Sequence, residues 1–159
     1  MQIFLDADGV LADFDKYASA LFGVPVSITN QVDLIPGFWD TIYEHNDFYY
    51  NLPLLADAQR LFDAVKHKNP IILTGLPKLN QGNWADGQKR RWVEKHFPGT
   101  PVITCLSEDK CKHMKGKGDI LVDDWTKYQS LWEYSGGIFV HHTSTDNTLV
   151  RLKELKAIE

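Results

Sequence analysis

Ile3-Phe4-Leu5-Asp6-Ala7-Asp8-Gly9-Val10-Leu11 is the stretch on which the reading of this chain turns. Its apolar start is too short for a helix and does not alternate, as expected for a strand buried on both faces. The strand then meets an acid, and a second acid follows two residues later. Side chains at i and i+2 of an extended segment point the same way, so Asp6 and Asp8 are set to face a common space. Gly9 frees the backbone to bend sharply after them. Two like charges so close repel, unless a cation lies between them or one takes a proton. Asp8 alone would also suit a turn that caps a following helix, but an acid directly after a buried strand needs a partner.

The pattern recurs downstream. Asp119-Ile120-Leu121-Val122-Asp123-Asp124-Trp125 again delivers acids at the end of an apolar run. A hard cation such as Mg²⁺ takes oxygen ligands from a few carboxylates, and two acidic strand ends in one parallel sheet would supply them. Read alone, Asp123-Asp124 equally fits the start of a helix. Between the two acidic motifs, Ile71-Ile72-Leu73-Thr74-Gly75 is a third strand end, finishing in a hydroxyl and a glycine. A Thr hydroxyl with nearby backbone N–H groups binds phosphate oxygens without adding charge; in isolation Thr-Gly is a common turn.

Residues 101–104 and 137–140 bring the strand candidates to five, and helical patterns lie between them. Asp57 can cap a helix with Leu61, Phe62 and Val65 on one face. Asn83 or Asp86 can open another that ends near His96, Thr126 a third through Tyr134, and Thr145 or Asp146 a last one. Strands alternating with helices predict an α/β domain, a parallel sheet covered on both sides, with ligands at the carboxyl ends of the strands. The stretch 14–68 is longer than one crossover requires and is rich in aromatics. It is expected to form a small, mostly helical cap over the strand ends, leaving 1–13 and 69–159 as the core.

The bulk numbers agree with one domain of ordinary globular material: 159 residues, 43% hydrophobic and 24% charged. A formal charge of −4 and a pI near 5.8 argue against general affinity for nucleic acid or anionic membranes. Cys105 and Cys111 are too few for a disulfide framework, so a reducing cytoplasm is the expected compartment. Cys111 and His113 lack the second pair that a zinc site would need. No segment approaches the roughly 18 consecutive apolar residues of a membrane span.

In their order, Asp-x-Asp-Gly-Val-Leu, Thr-Gly, a lysine and Asp-Asp resemble the four motifs of the haloacid dehalogenase (HAD) superfamily of phosphohydrolases. The resemblance is closer to its pyrimidine 5′(3′)-deoxyribonucleotidase branch. It includes the run at 8–14, Gly37-Phe38-Trp39, Phe48-Tyr49-Tyr50 with Leu52-Pro53-Leu54, and Trp92-Val93-Glu94-Lys95-His96-Phe97, and it fades beyond Trp125. It implies a Rossmann-like HAD fold and a Mg²⁺-dependent phosphomonoester hydrolase. Asp6 would be the nucleophile and Asp8 the general acid and base. Mg²⁺ would be held by Asp6, the Asp8 carbonyl and Asp124, supported by Asp123. Thr74, Gly75 and a lysine would hold the transferring oxygens. Lys110, Lys112, Lys115 and Lys117 crowd the segment before the second acidic motif; spacing favours Lys112, with Lys110 second.

Phe14, Phe38 and Trp39 match positions that line the base pocket in the resembling enzymes. The other reading of these rings is a miniature core of the insertion itself. Many relatives carry an arginine where this chain has Trp125, so nucleotide specificity does not follow from the motifs. The expected substrate is a deoxynucleoside monophosphate. A sugar phosphate, a nucleic-acid 3′-phosphate end, or a non-catalytic phosphate-binding role on the same fold are the alternatives, and homodimerisation stays open.

Overall fold

The computed structural model describes residues 1–28, 34–78 and 84–159. Five parallel strands, β1 (Ile3–Leu5), β2 (Ile71–Gly75), β3 (Val102–Cys105), β4 (Ile120–Asp123) and β5 (Ile138–His141), form one sheet in the order β3-β2-β1-β4-β5. Among the described residues six α-helices accompany them: α1 (Phe14–Phe22), α2 (Phe38–Glu44), α3 (Ala58–Val65), α4 (Trp84–His96), α5 (Gln129–Tyr134) and α6 (Thr145–Glu154). This is a doubly wound, Rossmann-like α/β arrangement.

The strands are mostly apolar, with polar residues gathered at their carboxyl ends, because the pleat sends alternate residues into two separate cores. Ile3, Leu5, Ile72, Ile120, Val122 and Val140 join one cluster with Leu61, Val65, Trp92, Val93 and Leu152 of α3, α4 and α6. Phe4, Ile71, Leu73, Leu121 and Phe139 face the other way, onto Trp132 of α5. The chain adds β2 and β3 on one side of β1, then crosses back to add β4 and β5 on the other. Right-handed crossovers running in opposite directions place their connections on opposite faces, which produces the two layers. The reversal lies between β1 and β4, where a crevice opens at the strand ends.

Helix starts differ in detail from the sequence expectation. The third expected helix begins at Gln129, after a turn in which Gln129 N–H donates to the Thr126 carbonyl (3.1 Å). Ser144, rather than Thr145 or Asp146, caps α6 by accepting from Asn147 N–H (3.1 Å). Asn83 lies outside the described residues. Asp119 is a structural acid, accepting from the N–H groups of Gln2, Lys115 and Gly116 at 2.8–2.9 Å.

Within 14–68, α3 packs on α6, joined by the Arg60–Asp146 pair (2.7 Å), and is the crossover helix between β1 and β2. The remaining aromatics do not form a core of their own. Phe14 meets Phe38, Trp39, Phe48 and Tyr49 with ring centroids 5.4–6.4 Å apart, inside the same apolar cluster that covers the sheet. Among the described residues no helix is long and apolar enough to cross a membrane.

Candidate active site

Register brings the two acidic motifs together. Leu5 pairs with Val122, so the next residues, Asp6 and Asp123, emerge side by side at the carboxyl edge of the sheet. Asp6 N–H donates to the Val122 carbonyl (2.9 Å), holding the nascent loop against β4. The chain then curls on itself: Leu11 and Ala12 N–H both donate to the Ala7 carbonyl (2.8 and 2.9 Å). Gly9 sits in this curl at φ 82°, and a Cβ there would collide with the Asp124 carboxylate. Glycine is required twice over, by the left-handed backbone and by the close approach of the acid.

Carboxylate oxygens of Asp6, Asp123 and Asp124 lie within 4.8 Å of one another. Lys110 enters from the 3₁₀ turn Ser107–His113 and contacts two of them, Asp6 at 3.0 Å and Asp123 at 2.8 Å. Lys110 is 6% exposed, so these contacts are made in a poorly screened setting. Burial alone would lower the Lys110 ammonium, but Asp6 and Asp123 raise it above the ordinary lysine value. Burial, then Asp123, pushes Asp6 up to about 7 against the pull of Lys110. Burial, then Asp6 and Asp123, pushes Asp124 up to about 9. One lysine does not offset the repulsion among three acids.

Asp8 has a different partner. Lys89 of α4 reaches it at 2.7 Å, donates to Thr74 Oγ1 at 3.0 Å, and lies 4.3 Å from the centre of the Tyr49 ring. Lys89 is only 3% exposed. Two buried ammonium groups therefore face four acids; with all four ionised, two negative charges are left over, which a divalent cation would offset. The donors are all carboxylate oxygens, which suit a hard cation rather than zinc. On both counts the residues fit a divalent metal.

A cavity of about 410 Å³ opens above this floor. Trp39, Tyr49 and Ile28 line it from the insertion, Gly75, Lys78 and Ser107 from the β2 and β3 side, and Trp125, Lys127 and Tyr128 from the loop after β4.

Of the residues singled out in the sequence, Asp6, Asp8, Gly75, Trp39, Lys110, Asp123 and Asp124 line this cavity. Three expectations are corrected. Lys112 is not at the carboxylates: its side chain is 72% exposed and pairs with Asp109 (2.9 Å), because two residues past Lys110 the turn has carried it to the outside. Phe14 and Phe38, 1% and 3% exposed, belong to the core rather than to the cavity wall. Thr74 is fully buried, and its hydroxyl receives Lys89.

Lys89 was hidden in the charged run Gln88-Lys89-Arg90-Arg91, which reads as a solvated face. A signal existed: Ala85, Lys89, Trp92 and Val93 share the i, i+4, i+7, i+8 face that α4 buries. Ser107, Lys127 and Tyr128 carried no motif.

The sequence matches no protein-family model. The fold is similar to the crystal structure of a hydrolase from Streptococcus pneumoniae, with a TM-score of 0.54 and 14% identity over 99% of this chain and 98% of that one. At that identity the likeness is one of fold, and it extends over essentially the whole of both chains.

Proposed function

We propose that this protein is a Mg²⁺-dependent phosphomonoester hydrolase in which Asp6 is the nucleophile. The observation that carries the reading is the floor of the cavity. A buried carboxylate at a strand end, bonded to a buried lysine and crowded by two more acids, makes little sense without an anionic substrate and a cation to join it. The description of the similarly folded structure as a hydrolase points the same way.

Asp6 attacks phosphorus, the bond to the ester oxygen breaks, and an aspartyl-phosphate forms on Asp6. Asp8, entering the step protonated, gives that proton to the departing alkoxide, then takes one back from the water that attacks the aspartyl-phosphate. That second step restores Asp6 and releases inorganic phosphate. Lys110 sits where negative charge passes from ester to product and stabilises it. Asp6, Asp124 and Asp123, with the Asp8 carbonyl, would hold the cation, which offsets the repulsion between a carboxylate and a dianionic phosphate.

The walls support a leaving group with an aromatic ring, since Trp39, Tyr49, Trp125 and Tyr128 all line the cavity. Stacking on such rings contributes roughly 1–3 kcal/mol per base, and a deoxynucleoside monophosphate is the favoured substrate. A panel of nucleotides, sugar phosphates and 3′-phosphorylated oligonucleotides, assayed with and without Mg²⁺, tests both levels. Phosphate release from a nucleotide, dependent on Mg²⁺ and lost in Asp6→Asn, is expected. Full activity in Asp6→Asn would sink the mechanism; turnover of sugar phosphates alone would sink the substrate.

A further inference from the structure

Thr74 does not line the cavity: it is fully buried, and its hydroxyl oxygen accepts from Lys89 at 3.0 Å. The next residue, Gly75, does line the cavity. The space that a side chain at 75 would need is filled by the hydroxyl of Ser107, whose Cβ and Cα would lie 3.5 and 3.7 Å from such a Cβ. Ser107 opens the 3₁₀ turn that carries Lys110, and at three residues per turn the two fall on one side. Both line the cavity. Among the described residues the Ser107 hydroxyl has no hydrogen-bond partner.

A hydroxyl on a residue that lines the cavity, without a partner among the described residues and beside a glycine whose missing side chain makes its room, is placed to donate to a ligand. We infer that Ser107 is a phosphate-binding residue, its Oγ–H donating to a non-bridging oxygen of the monoester and of the inorganic phosphate product. The inference rests on the phosphohydrolase reading and moves the hydroxyl grip from Thr74 to Ser107. A neutral donor suits this position. Lys110 already answers to two carboxylates, and a second cation here would compete with the metal for them.

Competitive inhibition of the Mg²⁺-loaded enzyme by inorganic phosphate tests it. Ser107→Ala raises the phosphate inhibition constant and the KM about tenfold or more, as loss of a hydrogen bond to an anion predicts. The melting temperature is unchanged, because no intramolecular hydrogen bond is lost. Ser107→Thr retains much of the affinity, and Thr74→Val raises the inhibition constant less than Ser107→Ala does. Gly75→Ala, which drives a methyl group onto the Ser107 hydroxyl, weakens phosphate binding in the wild type and adds little in the Ser107→Ala background. Wild-type phosphate inhibition in Ser107→Ala, from an enzyme that hydrolyses monoesters, overturns the assignment of Ser107 alone. A wild-type protein that neither hydrolyses monoesters nor is inhibited by phosphate overturns the phosphohydrolase reading, and the assignment of Ser107 with it.

Discussion

Lys110 bonds two carboxylates at once because a turn with three residues per repeat aims it inward while Lys112 points to solvent. Spacing along the sequence had favoured Lys112, since a run of four lysines before a strand says nothing about which way each one faces. Asp6, Asp8, Asp123 and Asp124 were legible because a charge at the end of a buried strand is costly unless a partner meets it. Lys110→Met is predicted to lower kcat about 100-fold or more, leaving Asp6 and Asp123 without their buried counter-ion. Lys112→Met, which removes an exposed pair, should stay within about twofold. Steady-state kinetics on the two variants decides between them, and comparable losses would overturn the geometric assignment.

Among the elements, the five strands were readable from short apolar runs, because burial on both faces confines their polar residues mostly to the carboxyl ends. The 3₁₀ turn at Ser107–His113 was not, since a short run dominated by Glu108, Asp109, Lys110 and Lys112 carries no helical periodicity. Helix α4 was found, but its role was not. It ties the insertion to Asp8 through consecutive contacts: Gln88 accepts from Tyr49 N–H (2.9 Å), Lys89 pairs with Asp8, Arg91 pairs with Asp47 (2.7 Å) and the Trp92 indole donates to the Leu52 carbonyl (2.8 Å). Lys89→Met, close in length and free of charge, is predicted to lower kcat about 10- to 100-fold by releasing Asp8. In an Asp8→Asn background the same change should have little further effect on kcat. Equal losses in both backgrounds would show that Lys89 supports the fold and does not position Asp8.

Across the whole molecule, the net charge of −4 conceals how unevenly charge is placed, with four acids gathered at one edge of the sheet. Without a cation, Asp6 and Asp124 hold protons up to about 7 and about 9, whereas in the unfolded chain they release them near 3.8. The folded state therefore binds more protons across that window, and its stability falls as pH rises through it. The melting temperature of EDTA-treated protein should drop between about pH 5 and about pH 9. Mg²⁺ should raise it most at the alkaline end, where the acids are bare. A melting temperature that Mg²⁺ leaves unmoved at alkaline pH would contradict a divalent site on these carboxylates.

That Asp6 is the nucleophile is tested most directly by acid-quenching the enzyme during turnover of a nucleoside monophosphate and mapping its peptides by mass spectrometry. A phosphoryl group on the N-terminal peptide, assigned by fragmentation to Asp6 and absent in Asp6→Asn, is the predicted result. Phosphate release at full rate with no phosphoryl group on Asp6, in an enzyme shown to turn over before the quench, would contradict it.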